Sequence, residues 1–265
     1  MPLASLALFL AAHAAFVIAV NLGFRARVPV LDTLTANLAG LAVLVGGLLL
    51  GAFGLRPADV GLRARDVPAG AAFTLAYFAL VQAGLLAYSL LTGAEVVDEW
   101  ALAGAATAAY LLVSQLLGNA LYEEVVFRGF LLPQLFLRFR RAGPALALTL
   151  APAVSQAAFA LAHAPNRLWV TGLPPGDLPG ALLPLFAMGL FFALLYLLTD
   201  NLFAVVGVHA LNNHPMLSLV ADGARLEGPY ALVALVAALG LAGAWRLWRG
   251  RAGRGRATPR LEPAA

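Results

Sequence analysis

Three clusters of ionisable and hydrogen-bonding residues interrupt the hydrophobic runs of this sequence. They are EEVVFR at Glu123–Arg128, FALAH at Phe159–His163 and HALNN at His209–Asn213. A carboxylate, imidazoles and a side-chain amide are the groups that activate a water molecule and stabilise an oxyanion. The clusters therefore favour hydrolysis over ion conduction as the chemistry of this protein.

The first cluster combines two carboxylates with one arginine. On a helix Glu124 and Arg128 are four residues apart and share a face, so they are predicted to pair, whereas Glu123 points about 100° away and is left for chemistry. Each such charge costs about 2.5–3.5 kcal/mol at the centre of a membrane helix, so the cluster is expected to serve a function. An ion pair at a helix end, with its charges reaching water, is the alternative interpretation.

The second and third clusters each contain a histidine near the end of a hydrophobic run. Phe159 lies one turn before His163 on the same face and is predicted to shield the imidazole from lipid. His209 and Asn213 are four residues apart and present two hydrogen-bonding groups to one point, as an oxyanion site requires. The alternatives are an interfacial His163 and a helix-packing hydrogen bond from the third cluster. The remaining isolated histidine, His13, has no charged neighbour and is predicted to be structural.

The composition is that of a membrane protein. Of 265 residues, 62% are hydrophobic and 11% are charged, whereas soluble domains carry about 25% charged residues. Cysteine is absent, which excludes disulfides, thiolate metal sites and a cysteine nucleophile. All 17 basic residues are arginine, which is typical of a GC-rich genome and predicts a prokaryotic source. The net charge of +4 does not indicate nucleic-acid binding, because the arginines lie mainly in loops and the tail.

The hydrophobic runs predict the fold class: an all-α polytopic membrane protein with about eight transmembrane helices. The runs fall near residues 3–22, 34–54, 69–92, 101–137, 144–163, 178–199, 201–220 and 229–248. The fourth run would reach about 55 Å as one helix, and it is predicted to be one long helix that tilts, protrudes or bends rather than two crossings. Residues 1–248 are predicted to form a single membrane-embedded domain, with residues 249–265 as a short disordered arginine-rich cytoplasmic tail.

The arginines are distributed unevenly between the two sides that eight spans define. Twelve arginines against four place both termini in the cytoplasm of a multi-pass protein of the cell membrane. The twelve are Arg56, Arg63, Arg65, Arg138, Arg140, Arg141, Arg246, Arg249, Arg251, Arg254, Arg256 and Arg260, and the four are Arg25, Arg27, Arg167 and Arg225. A cavity that admits water and a peptide is expected to open to the cytoplasmic leaflet or the interface.

In this order, the motifs EExxxR, FxxxH and HxxxN resemble those of the CPBP family of intramembrane proteases, over about residues 100–220. That family includes CAAX prenyl proteases of the Rce1 type and the bacterial bacteriocin-processing or self-immunity proteins of the Abi group. The resemblance implies an endopeptidase in which Glu123 and His163 activate water. It further implies that His209 and Asn213 form the oxyanion site, supported by Glu124 and Arg128. A frame that pairs His209 with Asn212 stays open.

The resemblance also shapes the expected cofactors, substrates and alternatives. No cofactor is expected; zinc held by Glu123, His163 and His209 is the alternative, although a ligand role would remove Glu123 as the base. The expected partners are membrane lipid and a peptide or lipidated-peptide substrate, either CAAX-type and prenylated or bacteriocin-like, and no nucleic acid. A non-catalytic membrane scaffold or immunity protein of the same fold and a proton-coupled transporter are the other functions that fit.

Overall fold

The computed structural model describes residues 1–25 and 33–251. It confirms an all-α polytopic membrane protein, although not the count of eight spans. Among the described residues, six helices are long and apolar enough to cross a membrane. They are Leu3–Gly23, Leu34–Ala52, Ala64–Thr92, Pro144–Val170, Pro175–Thr199 and Glu227–Gly250. Arg27 and the predicted disordered tail beyond residue 251 lie outside the described residues.

Apolar runs become helices here because lipid offers no partner to backbone polar groups, so each segment must satisfy its own. The α-helices of the described residues are α1 (Leu3–Ile18), α2 (Thr33–Gly40), α3 (Val67–Thr92), α4 (Glu99–Ala103), α5 (Ala105–Val113), α6 (Leu121–Glu124), α7 (Leu132–Phe139), α8 (Pro144–Ala162), α9 (Leu178–Thr199), α10 (Leu202–Asn213) and α11 (Glu227–Arg251). Wider π-helical turns occupy Ala19–Arg25, Leu41–Ala52, Ser114–Ala120, Val125–Leu131 and Asn166–Val170.

The fourth hydrophobic run breaks near its start rather than in its middle. Gly104 adopts a φ of 80° and separates α4 from α5, a conformation that glycine adopts without steric cost. From Ala105 to Phe139, α-helical and π-helical segments follow one another without an intervening coil. The chain therefore passes through Gly118, Gly129 and Pro133 as helix.

The seventh hydrophobic run is not one span, which corrects the prediction for residues 201–220. Its helix α10 has 12 residues and rises only about 18 Å, well short of the roughly 30 Å hydrocarbon core. His214 leaves the helix with φ −138° and ψ 72°, because the following Pro215 disfavours helical backbone at the residue before it. Most of α10 is buried within the protein, as expected of a helix that is apolar on all sides.

Three short antiparallel strands were not predicted from the sequence. They are β1 (Glu95–Asp98), β2 (Leu217–Ala221) and β3 (Ala224–Arg225), in the order β1-β2-β3. Val97 faces Ser218 across the first pair, and Val220 faces Arg225 across the second. The Glu99 carboxylate accepts hydrogen bonds from Ser218 and, at 2.8 Å, from Arg225, so side chains also hold the sheet together.

The described chain divides into two compact units. One contains Met1–Arg63 and Leu121–Leu194, and the other contains Ala64–Ala120 and the described residues from Leu195 onward. In the second unit α3 packs against α10 and α11 at glycines. A Cβ at Gly70 would lie 2.6 Å from the Cβ of Phe203, and one at Gly84 would lie 2.6 Å from a methyl carbon of Val233. Such small residues allow the close helix approach that membrane packing depends on.

Candidate active site

The first cluster contains a fully buried ion pair. It lies in the unit that comprises Met1–Arg63 and Leu121–Leu194. Glu124 ends α6, and Arg128 lies in the π-helical turn that follows. Nη1 of Arg128 donates to Oε1 of Glu124 at 3.0 Å, and neither side chain is exposed. The i,i+4 pairing predicted from the sequence is therefore present in the structure. Because each charge compensates the other, the pair can persist at a depth where a single ion could not.

Groups distant in sequence complete the surroundings of Arg128. Its Nη2 donates to the backbone oxygen of Gly189 in α9 at 3.1 Å. The guanidinium carbon lies 4.5 Å from the ring centroid of Phe159 and 5.4 Å from that of Phe192. Aromatic faces attract such a cation without adding charge. Arg128 therefore links the helix of the first cluster to α8 and α9.

The π-helical turn Val125–Leu131 has an additional polar anchor. The N–H of Leu132 donates to the oxygen of Phe127, five residues back. The Ser155 hydroxyl donates to the same oxygen at 2.9 Å. Ser155 thus joins α8 to the segment that carries Glu124 and Arg128.

Glu123 and His163 face each other across a short gap. Nε2 of His163 lies 3.7 Å from Oε1 of Glu123, and their side chains are 25% and 14% exposed. His163 is the residue at which α8 ends, and its Nδ1 is 2.9 Å from the backbone oxygen of Phe159. A carbonyl oxygen only accepts hydrogen bonds, so Nδ1 carries a proton, and when the ring is neutral Nε2 is an acceptor.

Phe159 separates this pair from the buried ion pair. Its ring contacts the His163 imidazole at a centroid distance of 4.8 Å and the ring of Phe127 at 5.2 Å. Phe159 is 2% exposed, so it fills the space between the imidazole and Arg128 with apolar surface. The predicted shared face of Phe159 and His163 is present in the structure.

Gly129, directly after the first cluster, lies against another chain segment. A Cβ at this position would overlap the backbone oxygen of Val60, which ends the short 3₁₀ helix Pro57–Val60. At the start of that helix, the exposed Arg56 guanidinium pairs with the Asp59 carboxylate at 3.2 Å. A backbone contact of this kind leaves no room for a larger residue.

The third cluster lies in the other unit. His209 is buried in α10, and Asn213, the last residue of the helix, is exposed and donates through Nδ2 to Oε1 of Gln115 at 3.1 Å. Asn212 uses its Nδ2 for two bonds, to Tyr77 Oη at 3.0 Å and to Val208 O at 2.8 Å. An amide nitrogen has only two hydrogens. Asn212 is thus committed to packing, while Asn213 keeps one amide hydrogen beyond its bond to Gln115.

Two further predictions concern a structural role for His13 and a zinc site. His13 is buried among aromatic rings, with Phe127 at 5.4 Å and Tyr122 at 6.1 Å between centroids, which fits a packing role. For a metal, no group of three or more His, Cys, Asp or Glu side chains within residues 1–25 and 33–251 could hold an ion. Zinc at Glu123, His163 and His209 stays a prediction.

Several contacts at the site were not singled out from the sequence. The sequence does not indicate that the Gly189 oxygen binds Arg128, because every residue type supplies a backbone acceptor. Gln115, which binds Asn213, is recognisable in the sequence, because it is a polar residue within an apolar run, eight positions before Glu123. The bond from the Ser155 hydroxyl to the Phe127 oxygen depends on how α8 packs, which the sequence alone does not show.

Comparison with known proteins agrees with the three motifs. Residues 105–214 match the family model described as type II CAAX prenyl endopeptidase Rce1-like. The match confirms the resemblance to the CPBP family and implies an intramembrane endopeptidase. No curated protein and no solved structure matches the chain.

Proposed function

We propose, from the match of residues 105–214 to the Rce1-like endopeptidases, that this protein hydrolyses a peptide bond of a membrane-associated peptide with water activated by Glu123 and His163. The observation that carries the proposal is the 3.7 Å separation between Oε1 of Glu123 and Nε2 of His163. Glu123 lies in α6 and His163 at the end of α8, and neither side chain takes part in the buried Glu124–Arg128 pair.

When the imidazole is neutral and the carboxylate ionised, a hydrogen-bond donor between the two facing atoms can bind both. With its proton on Nδ1, bound to the Phe159 oxygen, the neutral imidazole offers Nε2 as an acceptor, and an ionised carboxylate also only accepts. The 3.7 Å gap exceeds an ordinary hydrogen bond. A water molecule that donates one O–H to each acceptor satisfies both, and its oxygen lone pairs are left for attack.

Hydrolysis then follows with a balanced transfer of protons. The water oxygen bonds to the peptide carbonyl carbon while one of its protons passes to the Glu123 carboxylate. The tetrahedral intermediate collapses, the C–N bond breaks, and the Glu123 carboxylic acid returns the proton to the leaving amine. The products are a carboxylic acid and an amine, and the glutamate is again ionised.

His209 and Asn213 are proposed to stabilise the oxyanion, as the family resemblance implies. The hydrogen that Asn213 keeps beyond its bond to Gln115 supports this frame over Asn212, whose two amide hydrogens are used within α10 and by Tyr77. Donors aimed at the developing oxyanion contribute about 10²–10³ in rate in other hydrolases.

Glu124 and Arg128 are proposed to position the site without taking part in the chemistry. Both are fully buried, and Glu124 is bound to the guanidinium. Protonation of Glu124 would leave the Arg128 charge uncompensated, so Glu124 is a poor base. Its role is to hold the helix from which Glu123 projects.

The test is cleavage of a mixed peptide library by purified, detergent-reconstituted protein, read by mass spectrometry. Glu123→Gln is expected to lose cleavage by about 10²–10⁴-fold, the usual contribution of a general base, while its helical content is unchanged. Glu95→Gln, the same substitution at an exposed residue of β1, is the control and should keep full activity.

Full activity of Glu123→Gln would exclude Glu123 as the base. Loss of activity to a chelator, with recovery on adding metal, would replace the metal-free mechanism with the zinc alternative. Substrate flux in sealed vesicles without cleavage would indicate a transporter instead. A biological effect that survives replacement of Glu123, His163 and His209 would indicate a scaffold.

A further inference from the structure

A cavity of about 390 Å³ lies in the second unit, where several apolar helices end. Its volume is within the roughly 300–1,000 Å³ of small-molecule sites. The residues that line it come from the start of α3, the turn between α9 and α10, and the last turns of α11: Asp66, Ala69, Ala72, Asp200, Asn201, Trp245, Trp248 and Arg249. They belong to none of the three motif clusters, so the proposed peptidase mechanism assigns them no role.

Hydrogen bonds hold these helix ends together around the cavity. Asn201, which caps α10, donates through Nδ2 to the backbone oxygen of Asp66 at 2.9 Å. The Arg249 guanidinium and the Trp245 indole N–H both donate to the backbone oxygen of Thr199, at 2.9 and 3.2 Å. The last turns of α11 are therefore fixed to the end of α9, and the start of α10 is fixed to the start of α3.

The cavity lies at the level of the lipid headgroups. α11 forms one of the six candidate membrane spans, and Trp245, Trp248 and Arg249 occupy its last turns. Asp66 immediately precedes α3 and Asp200 immediately follows α9, so each lies near the end of another candidate span. Tryptophan and arginine at the ends of spans are typical of the membrane–water interface. A ligand of this cavity therefore meets both water and lipid.

The wall of the cavity changes from charged to apolar along α3. Asp66, Ala69 and Ala72 are three residues apart and share one face of the helix. Each such step leads about 4.5 Å farther along the span, so the two alanines lie deeper in the membrane than the carboxylate. On α11, Trp245 likewise lies about one turn deeper than Arg249. This polarity matches an amphiphile whose headgroup stays at the interface while an acyl chain enters the hydrocarbon.

The polar end of the cavity carries charges of both signs. The carboxylates of Asp66 and Asp200 only accept hydrogen bonds, and the Arg249 guanidinium only donates them, with further N–H groups beyond the one bound to Thr199. An anionic headgroup would be repelled by the two carboxylates. A zwitterion fits, because its phosphate accepts from the guanidinium and its ammonium group donates to the carboxylates. A quaternary ammonium group has no N–H to donate, so a primary ammonium group fits better.

Asp200 occupies a position that stability alone does not favour. Its φ is 50°, in the left-handed region, which aspartate adopts more readily than most residues but less readily than glycine. Its carboxylate also lies just beyond the C-terminal end of α9, where the helix dipole disfavours negative charge. An ammonium group bound in the cavity would compensate this carboxylate.

We propose that the cavity binds phosphatidylethanolamine, a lipid whose headgroup carries a phosphate and a primary ammonium group. Arg249 binds the phosphate, and the carboxylates of Asp66 and Asp200 bind the ammonium group. An acyl chain lies along Ala69 and Ala72. The bound lipid joins the start of α3 to the ends of α9 and α11, and so stabilises this end of the second unit. The proposal does not rest on the proposed peptidase function.

The test is native mass spectrometry of the full chain in detergent. Phosphatidylethanolamine, phosphatidylcholine and phosphatidylglycerol with the same acyl chains are added at equal concentrations. Phosphatidylethanolamine should bind at least about tenfold more tightly than the other two, because it alone completes both sets of charge-assisted hydrogen bonds. It should also raise the midpoint temperature of thermal unfolding the most. Equal binding of the three lipids, or strongest binding of phosphatidylglycerol, would overturn the proposal.

Free phosphoethanolamine distinguishes a lipid from a soluble ligand with the same headgroup. It lacks the acyl chain that is assigned to the alanine face, so it should displace the lipid only at much higher concentration. Displacement at the concentration of the lipid itself would overturn the assignment to a membrane lipid.

Matched pairs of variants locate the binding site. Asp200→Asn should lose the preference for phosphatidylethanolamine over phosphatidylcholine. Asp222→Asn should keep it, because Asp222 has a similar φ of 51° but lies in an exposed turn outside the cavity, and asparagine tolerates this conformation as aspartate does. An unchanged preference in Asp200→Asn would contradict the proposal. If that variant loses helical content, Asp66→Asn carries the same expectation.

The phosphate contact is tested on α11. Arg249→Gln should weaken the binding of phosphatidylethanolamine and phosphatidylcholine alike by about tenfold or more, because both share the phosphate. Arg246→Gln, at an exposed position of the same helix outside the cavity, should bind both lipids as the unmodified protein does. Equal losses in the two variants would show that general surface charge, rather than this cavity, attracts the lipid.

Discussion

Replacing Arg128 with methionine separates the energetic role of the buried ion pair from catalysis. The variant keeps an unbranched side chain but removes the charge that Glu124 faces at 3.0 Å. It also deprives the Gly189 oxygen of its 3.1 Å donor. Breaking a buried pair by removing one partner costs about 3–5 kcal/mol. We therefore expect Arg128→Met to lower the free energy of unfolding by about 3–5 kcal/mol.

The double variant Glu124→Gln/Arg128→Met isolates the interaction. It leaves no buried charge, so its loss should be smaller than the sum of the two single losses by more than about 1 kcal/mol. The assay is equilibrium unfolding in mixed micelles, followed by the fluorescence of the four tryptophans.

Arg56→Met serves as the matched control. It breaks the exposed Arg56–Asp59 pair, in which Arg56 is 56% exposed, and should leave the free energy of unfolding unchanged within error. If Arg128→Met unfolds like the unmodified protein, or if the double variant loses as much as the two single variants together, then Glu124 and Arg128 do not stabilise the protein as a pair.

Two further substitutions test other parts of the site. Gly129→Ala should lower the free energy of unfolding by about 1–3 kcal/mol, because its Cβ would overlap the Val60 oxygen. The measurement is the midpoint temperature of thermal unfolding, which should fall. Gly240→Ala in α11, where a Cβ meets open space, should change stability little, and equal effects would contradict the packing argument. Asn213→Ala should reduce kcat by about 10²–10³-fold with stability retained, whereas Asn212→Ala should reduce stability because it loses the Tyr77 bond. Reversed effects would favour the alternative in which Asn212, rather than Asn213, acts with His209 at the oxyanion site.

Local geometry explains what could be predicted from the sequence. Glu124 with Arg128, and Phe159 with His163, are neighbours on one helix, and helical periodicity alone brings their side chains together. The apolar runs likewise predict helices, since lipid allows few alternatives. Each of these contacts involves residues within one turn of each other.

The features that escaped prediction depend on contacts between distant segments. The acceptor for Arg128 is the backbone oxygen of Gly189, and the reason for a glycine at position 129 is the oxygen of Val60. The helical end of the seventh run could have been placed at His214, because Pro215 follows it. The strand that continues from Leu217 could not, since it needs β1 as a partner.

The pairing of β1 with β2 also sets the order in which the protein can assemble during synthesis. Asp98 and Leu217 are register partners, although about 120 residues separate them, which a ribosome takes roughly 6–24 s to add at about 5–20 residues per second. Until β2 emerges, β1 has an unpaired edge that can join another strand. The sheet therefore closes only after α10 has been made, so the helix that carries His209 and Asn213 acquires its final support late in biogenesis.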